Sequence, residues 1–263
     1  MHFFLLAALL AQAPVATAPG APSAPAAEPF TGNVAVGAVL LTGNSETSTF
    51  TLGAALGRKT PDWIYGFKAS AAYGRSTDPS TGLTSTSALN GAVALRGDRR
   101  LDPMISIYLQ ALADADHLKS IEWRPAAEAG VSLQLIDRKD GDFQTAALRV
   151  DLGFRGGREF RFQYFPKPPG PLDLPDVTIA APQAGLAARY ALTRDTILTD
   201  ELTTLVNLPD GPRLLLTNVV KLSTRLYRSL SFGVSYGIAE DSSPPEGKAN
   251  LDTTLTLAFE LSM

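Results

Sequence analysis

Ala146-Ala147-Leu148-Arg149-Val150-Asp151-Leu152-Gly153-Phe154-Arg155 is the stretch that decides the fold. Ala146, Leu148, Val150, Leu152 and Phe154 fall on one parity, and Ala147, Arg149, Asp151, Gly153 and Arg155 on the other. Successive side chains of a strand point to opposite faces, so this segment has one apolar face and one that is charged or tiny. Arg149 and Asp151 are an i, i+2 pair on the polar face, roughly 7 Å apart.

Working outward, the same period of two recurs. Phe50, Leu52, Ala54 and Leu56 alternate with Thr49, Thr51, Gly53 and Ala55. Trp63, Tyr65, Phe67, Ala69, Ala71 and Tyr73 alternate with Ile64, Gly66, Lys68, Ser70 and Ala72, and Leu230, Phe232, Val234, Tyr236 and Ile238 with Ser231, Gly233, Ser235 and Gly237. Roughly twelve such segments follow one another, most near the length of about ten residues that a tilted membrane strand needs. Their spans are 32–42, 47–57, 63–75, 84–96, 103–113, 123–136, 143–155, 178–191, 195–206, 213–226, 229–239 and 251–263. The ninth alternates poorly, because Asp200 shares a face with Leu198 and Leu202.

The connections between segments are unequal. Even-numbered ones are short: Arg58–Asp62, Gly97–Asp102, Asp137–Asp142, Leu192–Arg194 and Tyr227–Arg228. Among the odd-numbered, Ser76–Leu83, Asp114–Glu122, Gly156–Val177 and Glu240–Asn250 are longer, while Gly43–Glu46 and Asn207–Pro212 are exceptions. Short turns on one side and long loops on the other are what outer-membrane barrels have. Trp63, Tyr65, Phe143, Tyr190 and Tyr227 lie by the short turns; Tyr73, Trp123, Phe154 and Tyr236 lie by the long loops. Two such groups suit the two girdles at the membrane interfaces.

The chain begins with an apolar run, Phe3 to Ala11, that has the length of a signal-peptide core and is too short to span as a helix. Ala11-Gln12-Ala13 offers small residues for cleavage. Residues 1–13 are therefore read as a signal peptide, 14–31 as an Ala/Pro-rich linker and 32–263 as the barrel.

Composition removes several function classes. With no cysteine, disulfides, thiolate metal sites, cysteine nucleophiles and lipoprotein anchoring are closed. A net charge of −3 without long single-sign runs argues against a nucleic-acid partner. Only His2 and His117 are present, which disfavours a serine hydrolase built on a histidine base. Asp114, Asp116 and Glu122 flank His117 and offer oxygen ligands for a divalent cation, although a solvated acidic loop explains them as well. No catalytic residue, metal or cofactor is expected.

Alternation does not say which face is which. A soluble barrel points its apolar face inward, whereas a membrane barrel points it at lipid. The polar face carries Lys68, Arg96, Glu128, Arg149, Asp151, Arg155, Arg189, Lys221, Arg225 and Glu260. Lys68, Glu128, Arg149, Asp151 and Arg155 are the candidates for lumen-lining groups. They would act as an ion-pair network or set the charge preference of a pore.

Several motifs carry a family resemblance. Leu41-Thr42-Gly43-Asn44-Ser45-Glu46-Thr47 is similar to an opening hairpin S/T-G-N-S/T-x-T, and Ile121 with Arg124 to a mid-chain strand entry. Gly130-Val131-Ser132-Leu133-Gln134-Leu135-Ile136-Asp137 resembles a G-x-x-Y-x-L-x-D strand, with Leu133 in place of the aromatic. Gly153-Phe154-Arg155 resembles a strand end, and Pro244-Pro245-Glu246-Gly247-Lys248 with Asp252-Thr253-Thr254 a final hairpin. In this order they resemble the salt-induced outer-membrane protein family, a domain of unknown function, from about Gly32 to the C-terminus. The resemblance implies an envelope or salt-stress connection. The chain departs from outer-membrane barrels in ending on Met263 instead of an aromatic, although Leu255, Leu257, Phe259, Leu261 and Met263 stay in phase.

The expectation is an all-β fold: a closed antiparallel up-and-down transmembrane β-barrel of about twelve strands. Its partners would be outer-membrane lipid and, during biogenesis, the barrel-assembly machinery, with the protein a monomer in the bacterial outer membrane. Its function would be that of an outer-membrane barrel, as a narrow pore or a stress protein. Two alternatives are a soluble periplasmic barrel holding an apolar ligand and a barrel-embedded lipid-modifying enzyme.

Overall fold

The alternating segments become twelve strands, each paired antiparallel with its neighbours in sequence. The computed structural model describes residues 30–41, 46–78, 81–165, 173–209, 211–245 and 247–263. The strands are β1 (Thr31–Leu41), β2 (Glu46–Lys59), β3 (Trp63–Thr77), β4 (Thr84–Arg100), β5 (Ile105–Asp116) and β6 (Ile121–Asp140). They continue as β7 (Phe143–Arg161), β8 (Val177–Ala191), β9 (Thr196–Asn207), β10 (Arg213–Tyr227), β11 (Leu230–Asp241) and β12 (Leu251–Ser262). The signal and most of the linker read from the sequence, and the Gly43–Asn44 turn, lie outside the described residues.

β1 closes the sheet on β12, from Asn33 opposite Ser262 to Gly37 opposite Ala258. Beyond that register, Gly32 and Met263 exchange both backbone hydrogen bonds, at 3.1 and 2.8 Å. Closure leaves no strand edge to recruit another chain. The terminal methionine thus still completes the seam through its backbone.

β4, β6 and β7 run well past the spans read from alternation, to Arg100, Asp140 and Arg161. Ladder hydrogen bonds need no apolar face, so pairing goes on where the side chains have become charged. Two connections shrink as β5 runs on to Asp116, β6 begins at Ile121 and β7 runs on to Arg161. The Asp114–Glu122 loop reduces to residues 117–120, and the Gly156–Val177 loop to 162–176.

All even-numbered turns lie at the end of the barrel that also holds Phe30 and Met263, here the terminus end. They comprise residues 60–62, 101–104, 141–142, 192–195 and 228–229. The other end, the loop end, carries the connections after β3, β5, β7, β9 and β11, described at residues 78, 81–83, 117–120, 162–165, 173–176, 208–209, 211–212, 242–245 and 247–250.

The two faces are now assigned. Leu152 is 51% exposed and Phe259 55%, whereas Asp151 is 7% and Glu128 2% exposed. Apolar side chains thus coat the outside and charged ones fill the inside, the reverse of a soluble barrel. In the ninth segment Asp200 sits on the outer face, where it accepts a hydrogen bond from Asn218 Nδ2 at 2.6 Å, while Leu205 turns inward.

Candidate functional site

The interior is organised around a row of three residues on adjacent strands. Tyr108 of β5 lies opposite Gly130 of β6, which lies opposite Gly153 of β7. A Cβ at Gly153 would meet the Tyr108 hydroxyl at 2.4 Å, and one at Gly130 would meet the Leu152 carbonyl at 2.2 Å. The absence of side chains at these two positions lets the Tyr108 ring lie across the wall. Two motif glycines of the sequence thereby acquire a packing reason.

The tyrosine reaches Glu128, donating from Oη to Oε1 at 2.6 Å. The same carboxylate accepts from Arg155 Nε at 3.0 Å, Arg155 Nη2 at 2.9 Å and Gln183 Nε2 at 2.7 Å. An almost fully buried charge is costly unless paired and hydrogen-bonded, and Glu128 is both. On the other side of the ring, the Arg96 guanidinium stacks 3.9 Å from its centroid.

Arg96 then joins three strands. It donates to both oxygens of Asp98 on its own strand, and it donates across the lumen to Asp151 on β7, at 2.8 Å from Nη1. Ser132 of β6 donates to Asp151 between them. Arg149 Nε lies 3.2 Å from Asp151 Oδ1 as an ion pair without hydrogen-bond geometry. Strands β4 and β7 are not neighbours in the sheet, so this pairing is a chord of the barrel.

A second network holds the loop end. Glu159 of β7, fully buried, takes Arg124 of β6 at 3.1 Å, Arg161 at 2.6 Å and Arg213 of β10 at 3.2 Å. Arg124 also forks onto Asp114, and Arg213 onto Asp241 of β11. Above it, the short 3₁₀ turn His117–Lys119 lies by the mouth. Asp116 accepts from the backbone of Leu118 and Lys119, and Ser120, at φ 62°, ends the turn in the left-handed region. Lys119 Nζ meets Asp252 of β12 at 2.8 Å, far round the ring from β5.

Between the networks runs a cavity of about 450 Å³. Its wall extends from Lys59, Ile64 and Arg100 at the terminus end to Lys119, Pro244 and Asp252 at the loop end. Of the five side chains singled out in the sequence, Lys68, Arg149 and Arg155 line this cavity. Glu128 and Asp151 lie behind, held against arginines. Ile179, Ala181, Leu205 and Leu215 form one apolar patch on the inner wall. Around that patch the cavity wall also carries Lys68, Arg96, Arg149, Arg155 and Arg189.

Asp114 and Asp116 beside His117 are engaged otherwise than as a cation site. Asp114 holds Arg124, Asp116 caps the 3₁₀ turn, and His117 itself stacks on Tyr164 at 3.8 Å. Among the described residues no group of histidine, aspartate or glutamate is arranged to hold a metal ion.

Sequence reasoning misses Tyr108, Arg124, Glu159 and Arg213 as interior groups. It puts Glu159 in a loop, because alternation weakens after Arg155. Tyr108 carries no signal of its own until the two glycines beside it are seen in register.

The family described as "Protein of unknown function, DUF481" matches residues 34–262 of the chain. No curated protein matches it. Among solved structures, an outer membrane channel from Pseudomonas putida F1 is similar with a TM-score of 0.50 and 11% identity, over 96% of this chain and 100% of that one. The NanC porin has a TM-score of 0.45 and 12% identity, over 88% and 97%. The translocator domain of the autotransporter NalP from Neisseria meningitidis has a TM-score of 0.38 and 13% identity, over 89% and 86%. At such identities the first of these likenesses speaks for the fold alone.

Proposed function

Since the chain belongs to the DUF481 family, whose description names no activity, we propose from the barrel itself that it spans the bacterial outer membrane and passes or holds small polar solutes in a charge-lined lumen. The observation that carries this reading is the inverted distribution of side chains. Leu52, Leu95, Leu109, Leu152, Phe154 and Phe259 are exposed on the outer wall, while Asp98, Glu128, Asp151 and Arg213 are buried inside. So much contiguous exposed apolar surface is out of place in water and suits hydrocarbon.

Outward aromatics support the placement. Tyr65, Tyr190 and Tyr227 are exposed towards the terminus end, and Tyr73, Trp123 and Tyr236 towards the loop end. Rings of this kind sit at the two edges of a bilayer. The short turns would then face the periplasm and the longer loops the exterior.

Export by a signal, assembly by the barrel machinery, a monomeric state and a salt-stress connection belong to this proposal as well. The last rests on motif resemblance alone. Fractionation tests the placement. The reading expects the protein in the outer-membrane fraction, resistant to carbonate and shifting in mobility on heating before electrophoresis. Recovery from the periplasm without detergent ends it. Planar bilayers test the passage, which expects small, reproducible conductance steps from purified protein.

A further inference from the structure

Among the described residues, Arg189 is a lumen cation held by no ion pair. Arg189 of β8 lines the cavity, and among the described residues it makes no hydrogen bond and no ion pair, with its Nε buried and unpartnered. Its neighbours across the ladder are Ala147 of β7 and Thr199 of β9, too short to satisfy a guanidinium. Ala187, also on the cavity wall, leaves the space beside it open.

The surroundings do not neutralise it. Arg149 is opposite Ala187, so it stands diagonal to Arg189 on the same face, with Cα atoms about 7–8 Å apart. Glu201 of β9 is opposite Ala187 on the other side, so it too stands diagonal to Arg189, and its charge also acts on Lys68 across the lumen. Asp98 and Asp151 serve Arg96, and Asp151 also serves Arg149. Lys68, Arg96, Arg149 and Arg189 therefore share Asp98, Asp151 and Glu201, while Asp137, two strands from Arg189 in the same row, lies beside Lys139 at 3.9 Å. The excess positive charge lies at Arg189, near the terminus end.

We propose that Arg189, with Arg149 beside it, forms an oxyanion-binding subsite in the lumen that takes the carboxylate or phosphate group of a small solute. A guanidinium presents paired N–H donors that match a planar carboxylate or a phosphate edge, and two on adjacent strands can grip one anion from two directions. A cavity of about 450 Å³ holds a small organic acid or a sugar phosphate. The subsite rests on the proposed passage only for how the solute arrives.

Calorimetric titration of the purified, detergent-solubilised barrel tests it, with inorganic phosphate and acetate as separate probes and chloride at matched ionic strength as the control. The subsite expects at least one oxyanion to bind the wild type better than chloride, with affinity falling at least about tenfold in Arg189→Gln. Absence of binding by both oxyanions, or equal binding in Arg189→Gln, overturns it. A heat-dependent gel shift shows whether that variant is folded. If it is not, Arg189→Lys keeps the charge and loses the fork, and an unchanged affinity there overturns the subsite. Wild-type protein that binds an oxyanion and never conducts in bilayers sinks the passage and leaves the subsite standing.

Discussion

The ring of Tyr108 lies against Gly153, two strands away, so closely that a methyl group on the glycine would sit 2.4 Å from the tyrosine hydroxyl. The contact exists because Gly130 and Gly153 expose bare backbone in one row with Tyr108. It aims the hydroxyl at Glu128 and offers the ring face to Arg96.

Gly153→Val therefore displaces the ring and breaks the bond to Glu128. Heat-modifiability on gels is expected to show barrel unfolding at a clearly lower temperature than in the wild type. Tyr108→Phe keeps the ring and removes one hydrogen bond to a buried carboxylate, a loss of about 1–3 kcal/mol. If Gly153→Val is as stable as the wild type, the ring does not occupy that space.

Glu128 anchors three side chains, and its removal strands the half-buried Arg155. Glu128→Ala is expected to cost about 3–5 kcal/mol, the range for leaving one member of a buried pair alone. The double variant Glu128→Ala with Arg155→Ala should be less damaged than Glu128→Ala by itself. Denaturant unfolding in detergent or lipid measures both, and simple additivity would show that the two groups do not depend on each other.

On the outer wall the test is the solvent. Leu152 stands midway along β7 and is 51% exposed. Arginine there is expected to destabilise the lipid-inserted barrel by about 2–4 kcal/mol, whereas Leu152→Phe should be neutral. Folding yield into lipid vesicles reads the difference. Equal yields would mean that this face does not meet hydrocarbon.

At the loop end, the Lys119–Asp252 pair joins the 3₁₀ turn to β12. Because both residues line the cavity there, Lys119→Ala is expected to raise single-channel conductance in planar bilayers with little change in thermal stability. Unchanged conductance would place the pair away from the path of ions.

Much of the fold is legible in the amino-acid sequence. Alternation at Ala146–Arg155 and its eleven companions locates every strand, and the inequality of turns shows that hairpins repeat along the chain. Where alternation fails as a guide, the reason is local. Asp200 breaks the phase of β9, yet its amide partner Asn218 accommodates it on the outer face. Glu159 falls past the alternating part of β7, where pairing continues on hydrogen bonds alone.

The sequence by itself determined that there are two unlike faces, because side-chain direction in a strand follows from parity and needs no knowledge of neighbours. Only the tertiary structure decided which face is the interior. That depends on the sense in which the closed sheet curves, and parity carries no curvature. Closure also brought Arg96 to Asp151 and Arg213 to Glu159, partners 55 and 54 residues apart. No local pattern encodes such pairs. They arise because a closed ring sets strands that are not neighbours within a side chain's length of each other across the lumen.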